Sequence, residues 1–249
     1  MKCEEGISTN INMSSISIGI IIVVTGLLSL YWVFYGQRKY NEMALPKKDV
    51  ELKAILFDMD GVIIDSFDAW LNVVNLARKE LNLKSMGKEE FRNEAWGTSV
   101  QADVKKYYKN KSVEEISAIY EGLMLESVDK TRLMPDVTNI IQSARKKGIK
   151  TGLVTNSFKS IVSKALEFHK INGCFDAIVT ADDVERVKPY PDPLVKVCEK
   201  LGIMPQEAFY VGDTKTDYKA GKAAGCVVVG LNTRGDLMIS KLSDLQQLI

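Results

Sequence analysis

Two carboxylates one residue apart, Asp58 and Asp60, follow directly on the apolar run Ala54-Ile55-Leu56-Phe57, and Gly61 comes next. A short apolar run closed by a turn residue reads as a buried strand. Open parallel sheets gather their ligands at the carboxyl ends of such strands. An Asp-x-Asp pair at that end aims two acids into one small volume. Like charges that close need a cation or a shared proton. A magnesium ion answers that need, because it favours carboxylate oxygens together with substrate phosphate. Taken alone, the same residues also read as an acid-rich strand-to-turn junction with Gly61 as the turn residue.

The rest of the chain sets this strand in an alternating pattern. Apolar strand segments fall at 53–57, 150–154, 177–180, 208–211 and 226–230, with helical patterns between them. Val137, Ile140, Ile141 and Ala144 recur at helical spacing and Gly148 stops them. Ile161, Ala165 and Phe168 mark a second helix. Leu194, Val195, Cys198 and Leu201 mark a third, stopped by Gly202. Strands alternating with helices predict a doubly wound, Rossmann-like parallel α/β sheet. Residues 66–134 break the alternation. Trp70, Val73, Val74, Ala77 and Leu81 form one apolar helical face, and Ser112 with Glu115 forms a capping box. A helical insertion therefore follows the first strand, with hinges near Ser66 and near Met134-Pro135.

Three further segments carry chemistry. Leu153-Val154-Thr155-Asn156-Ser157 ends a strand with a hydroxyl and an amide. Lys188-Pro189 lies in a proline-rich loop. Tyr210-Val211-Gly212-Asp213-Thr214-Lys215-Thr216-Asp217 ends another strand with two more acids. Alone, Lys188 reads as a loop lysine, Thr155-Asn156 as a helix cap, and Asp213 and Asp217 as helix-start acids. In this order, over residues 52–235, the four segments resemble the haloacid dehalogenase superfamily of phosphohydrolases.

That resemblance implies roles. Asp58 is the expected nucleophile and Asp60 the expected general acid and base. Thr155 and the Asn156 amide are expected on the phosphate, beside Gly61, and Lys188 on the charge of Asp58 and the phosphoryl group. Asp58, the Asp60 carbonyl and Asp213 are the expected magnesium ligands, with Asp217 in support. The insertion then corresponds to a helical cap over the site, with Arg92 and Trp96 (beside Gly97 and Thr98) facing the substrate. Asp192 is expected as a loop brace, and His169 as a surface or dipole-complementing residue. The implied activity is a magnesium-dependent phosphatase of small phosphomonoesters, most like the phosphoglycolate phosphatases. A sugar-phosphate mutase of the beta-phosphoglucomutase type and a membrane-tethered, non-catalytic binding module are the alternatives.

Composition bounds these readings. The 249 residues are 46% hydrophobic and 26% charged, enough for one sizeable core and a smaller subdomain. With 33 basic and 32 acidic residues there is no basic excess, which argues against a general nucleic-acid binder. Cys3, Cys174, Cys198 and Cys226 lack CxxC spacing and read as small, mostly buried thiols. Ile16 to Tyr35 carries no charge, and at ~1.5 Å per residue it spans a hydrocarbon core of roughly 30 Å. Tyr31, Trp32 and Tyr35 cluster at its end, and Arg38, Lys39, Lys47 and Lys48 follow. The expectation is a single-pass membrane helix with a cytoplasmic carboxyl-side domain. The expected layout is a tail over 1–15, a transmembrane helix over 16–36 and a linker over 37–50. The core takes 51–66 with 134–249, and the cap takes 67–133. The substrate and the oligomeric state are not legible.

Overall fold

The computed structural model describes residues 51–249. Six parallel strands form one sheet: β1 (Ala54–Phe57), β4 (Lys150–Val154), β5 (Ala177–Val179), β6 (Ala208–Gly212), β7 (Val227–Leu231) and β8 (Leu237–Ile239). Their spatial order is β5-β4-β1-β6-β7-β8, so the winding direction reverses at β1. The Asp-x-Asp strand therefore sits where an open α/β sheet places its crevice. All four β1 residues are buried, as expected of a central parallel strand covered on both faces. Phe57 is level with Leu153 of β4 and with Val211 of β6. That register brings Asp58, Thr155 and Asp213 to one end of the sheet.

The helices follow from their apolar faces. α5 (Val137–Lys146) buries Val137, Ile140, Ile141 and Ala144, as its spacing predicts. α6 (Lys159–Phe168) packs through Ile161, Val162, Ala165 and Leu166, and Phe168 is 48% exposed. Phe168 thus leaves the face that its spacing suggested, because Leu166 fills the core. α7 (Asp192–Leu201) buries Leu194, Val197, Cys198 and Leu201 and leaves Val195 at the surface. α8 (Lys215–Ala224) starts after β6 with a capping box between Thr214 and Asp217.

The insertion is helical, as expected: α1 (Phe67–Glu80), α2 (Lys88–Glu94), α3 (Val100–Tyr107) and α4 (Val113–Leu125). The Ser112–Glu115 capping box is present in both directions. Two features lay outside the sequence reading. β8 is one. The other is an antiparallel ribbon of β2 (Ile64–Asp65) and β3 (Arg132–Leu133). It pairs the two connections of the insertion side by side, and the Met134 amide donates to the Ile63 carbonyl at 2.9 Å. The two expected hinges are therefore one double-stranded neck.

The expected tail, transmembrane helix and linker over 1–50, with Cys3, lie outside the described residues. Among the described residues, no helix is long and apolar enough to cross a membrane. Cys198 and Cys226 are buried and Cys174 is half-buried; all three are free. His169 stands at the C-terminal end of α6. Its ring is within hydrogen-bonding distance of the Thr131 hydroxyl, at 2.8 Å, and burial lowers its pKa, which favours the neutral form. Asp192 opens α7 and grips the Arg186 guanidinium through both oxygens.

Candidate active site

Among the described residues, Lys188 is the one cation at the heart of the site. Its ammonium is buried at 3% exposure, 2.6 Å from Asp58 and 2.7 Å from Asp217. It also donates to the Tyr210 hydroxyl at 3.0 Å. Burial alone would push this ammonium toward neutrality; the Asp217 and Asp58 carboxylates outweigh it and hold the pKa up. The loop that carries Lys188 is pinned by a side chain. Asn156 donates to the Lys188 carbonyl at 3.0 Å and accepts from its amide at 2.9 Å. The Asn156 side chain is thus spent on placing the lysine, while its backbone follows Thr155 at the end of β4.

Asp217 is expected to orient Asp213 or a metal-bound water. The structure places it in the acidic cluster beside Asp58 and Asp213, with its oxygens already engaged. Its carboxylate receives Lys188, the Tyr210 hydroxyl at 2.7 Å, and both the amide and the hydroxyl of Thr214. Burial raises its pKa, but Lys188, Thr214 and Tyr210 prevail and hold it below the usual carboxylate range. Asp217 is a saturated anchor for Lys188.

Asp60 stands in a different environment from Asp58. Its carboxylate accepts only neutral donors: the Ser66 hydroxyl at 2.6 Å, the Trp70 indole at 2.9 Å and the Ser157 hydroxyl at 2.8 Å. Ser66 stands at the N-cap of α1 but makes no capping bond through its side chain; its hydroxyl goes to Asp60. Two separate segments, the start of α1 and the end of β4, therefore fix the second acid of the pair.

Asp213 supplies the clearest sign of a missing positive charge. Its Oδ1 is the one buried side-chain oxygen without a hydrogen-bond partner among the described residues. Burial, reinforced by the nearby Asp217 charge, pushes its pKa up to about 7. Burial likewise pushes Asp58 well up, more than the adjacent Lys188 offsets. Oxygens of Asp58, Asp213 and Asp217 all lie within 4.8 Å of one another. Gly61 makes room for this cluster: a Cβ there would stand 2.3 Å from Asp213 Oδ2, and its φ is +85°. Three clustered carboxylates against one ammonium, with one oxygen orphaned, fit a hard divalent cation such as magnesium. The Asp60 side chain is not part of that oxygen cluster.

The cap meets the core at this acid. Trp96 donates its indole N–H to Asp213 Oδ2 at 2.9 Å. Gly97, at φ +72°, lies so close to the Thr214 side chain that a Cβ would stand 2.5 Å from Thr214 Cγ2. A cavity of about 80 Å³ remains beneath, and it reaches Asp58, Asp60, Thr155, Asn156 and Lys188 from the core and Trp70, Trp96 and Tyr120 from the insertion. Arg92 is not in it. Its guanidinium lies 4.2 Å over the Phe67 ring and borders a second depression, which Gly61, Trp96 and Asp213 also line. Of the two expected cap residues, Trp96 lines the cavity and touches Asp213, while Arg92 lines the neighbouring depression that Asp213 also borders.

The family model of the haloacid dehalogenase-like hydrolases matches residues 55–231, which include every core residue described above. The chain belongs to this family. It is 34% identical over 211 residues to the phosphoglycolate phosphatase of Aquifex aeolicus, covering 80% of this chain and 97% of that protein. To the phosphoglycolate phosphatase of Shigella boydii it is 31% identical over 205 residues, covering 73% and 81%. CbbY from Rhodobacter sphaeroides, solved in complex with phosphate, superposes with a TM-score of 0.68 at 21% identity, covering 78% of this chain and 96% of that one. These relatives identify the chain as an enzyme, a hydrolase of the phosphatase kind.

Within this haloacid dehalogenase-like hydrolase, sequence reasoning missed the residues that hold the acids. Ser66 and Trp70 read as helix-start and apolar-face positions, and Ser157 as part of a strand end. Tyr210 is wholly buried beneath Lys188 and reads as a strand aromatic. One signal was available: a tyrosine, lysine or tryptophan that faces buried acids must satisfy a polar atom there.

Proposed function

We propose that the protein is a magnesium-dependent phosphatase of small phosphomonoesters, phosphoglycolate phosphatase-like, which works through an aspartyl-phosphate on Asp58. The observation that carries this reading is the asymmetry of the two acids. Asp58 is paired with a buried ammonium at 2.6 Å, whereas Asp60 accepts neutral hydroxyl and indole donors. Carboxylates in unlike environments divide nucleophilic and proton-transfer work between them.

The steps follow from these positions. Asp58 Oδ attacks phosphorus, and the Thr155 hydroxyl with the Asn156 backbone amide orients the phosphoryl oxygens. Lys188 balances charge on Asp58 and on the phosphoryl group. Asp60 gives its proton to the departing alcohol oxygen. As a carboxylate it then takes a proton from the water that attacks the acyl phosphate, which frees phosphate and restores Asp58. Magnesium, held by Asp58, Asp213 and the Asp60 carbonyl, would supply positive charge to the phosphoryl oxygens. Trp96 and Gly97 close the cap over the core and limit access of bulk water.

The test is phosphate release by the full chain from a panel of phosphomonoesters, with magnesium and with chelator. Magnesium-dependent release, lost in Asp58→Asn, supports the reading. Isomerisation of a sugar phosphate primed by a bisphosphate, without net phosphate release, would replace it with a mutase.

The uncharged run Ile16–Tyr35 and the lysines and arginine after it support a membrane anchor with a cytoplasmic catalytic domain. The anchor would hold the enzyme beside a lipid-linked or membrane-made ester. Deletion of residues 1–45 should leave soluble esters turned over and slow a lipid-linked one. Equal activity on both would contradict a localising role.

A further inference from the structure

The cavity under the cap is poor in positive charge. Among the described residues that line it, Lys188 is the only lysine or arginine, and its ammonium is already shared by Asp58, Asp217 and Tyr210. Four of the cap's cations are engaged elsewhere. Arg92 lies over Phe67, and Arg78 lies 5.4 Å from the Tyr107 ring centroid and donates to the Lys84 carbonyl. Lys106 pairs with Glu94, and Lys88 pairs with Asp68.

In place of a cation, the cap presents an acid. Asp103 on α3 lines the cavity at 6% exposure. Its acceptor capacity is under-used. The Thr98 hydroxyl lies 2.7 Å from Asp103 Oδ1, but also 2.7 Å from the Ala95 carbonyl, and it has one proton for the two. The Tyr120 hydroxyl is a long 3.4 Å from Asp103 Oδ2 and stands 2.9 Å from the Tyr108 hydroxyl. A carboxylate offers about four lone-pair sites, so Asp103 keeps room for a donor from a ligand. Burial raises its pKa to about 6, which leaves it mainly ionised at neutral pH. Trp70, Val74, Phe91 and Val100 supply the apolar part of the wall, and Thr98, Tyr120 and Ser157 its neutral hydroxyls.

We infer that the organic half of the substrate is small and carries no second anionic group, and that it bears a hydroxyl or ammonium donor which Asp103 accepts. A carboxylate or a second phosphate in this cavity would lose its water and meet Asp103, whose charge Lys106 and Arg78 offset only from outside the cavity wall. The inference rests on the magnesium-dependent phosphatase reading above and departs from it only in the leaving group. It sets this chain apart from an enzyme whose leaving group is glycolate and from a mutase that must seat a bisphosphate.

The test is a matched series of two-carbon esters given to the full chain with magnesium: hydroxyethyl phosphate, aminoethyl phosphate, ethyl phosphate and phosphoglycolate. The hydroxyl or the ammonium ester should exceed both ethyl phosphate and phosphoglycolate by about tenfold or more in kcat/KM, because a site built to accept a donor rejects analogues that lack it. Whichever of the two leads identifies the donor. Asp103→Asn should narrow the gap to phosphoglycolate. A wild-type preference for phosphoglycolate, or ethyl phosphate matching both donor-bearing esters, would overturn the inference and leave the phosphatase reading intact. No hydrolysis of any ester, in this series or the wider panel, would instead remove the phosphatase reading and the inference with it.

Discussion

The indole N–H of Trp96 donates to Asp213 Oδ2 at 2.9 Å across 117 positions of sequence. A cap side chain thus touches the acid whose other oxygen has no partner. Cap closure and the charge state of Asp213 are therefore linked. Trp96→Phe keeps the ring contacts with Phe67 and Phe91 but removes the donor. It should lower kcat/KM by about tenfold, equivalent to ~1.4 kcal/mol. It should also shift the magnesium concentration needed for half-maximal rate. Steady-state kinetics at varied magnesium checks both; unchanged kinetics would separate the cap contact from catalysis.

Gly97 tests the same seam from its backbone. Its φ is +72°, and a Cβ would press on Thr214. Gly97→Val should keep the cap from seating and cut kcat by about tenfold or more, while the melting temperature falls by only a few degrees. Kinetics beside a thermal melt distinguish loss of closure from loss of fold.

Asn156 holds the Lys188 loop with two hydrogen bonds to its backbone. Asn156→Ala should cost about 1–3 kcal/mol of stability, because it leaves buried backbone groups unpaired. It should also lower kcat more than it raises KM, because the ammonium loses its place beside Asp58. Denaturant melts and steady-state rates read the two effects separately.

Asp213 makes stability depend on pH in a definite direction. Burial, with the Asp217 charge, lifts its pKa from 3.8 to about 7. A carboxyl with a raised folded pKa binds more protons when folded than when unfolded. Its contribution is therefore full below about pH 4 and is lost as pH rises toward 7. A bound cation favours the ionised form and reverses that loss. Magnesium should thus raise the melting temperature more at pH 7.5 than at pH 5, and Asp213→Asn should remove most of that difference. Thermal melts at the two pH values, with magnesium or chelator, make the comparison.

The residues at the strand ends were legible because each acid or hydroxyl directly follows a buried apolar run. A turn beyond such a run has one place to go in a parallel sheet. The neck formed by Ile64–Asp65 and Arg132–Leu133 was not legible, because two-residue strands are too short to show a period. Nor was the shell around Asp60, where Ser66, Trp70 and Ser157 meet only after the insertion has folded back. Arg92 shows the limit most plainly. Charge and position suggested a substrate contact; they did not reveal the ring face of Phe67, 4.2 Å from its guanidinium, or the depression that Arg92 shares with Asp213.

The central claim is that Asp58 carries the phosphoryl group. The most direct measurement is rapid acid quench of the enzyme during turnover, followed by mass spectrometry of the peptide that contains Asp58-Met59-Asp60. The account predicts a phosphoryl group on Asp58, absent in Asp58→Asn, which should turn over more than a hundredfold more slowly. An unmodified Asp58 at every quench time, or an Asp58→Asn variant that keeps more than about a hundredth of the activity, would contradict it.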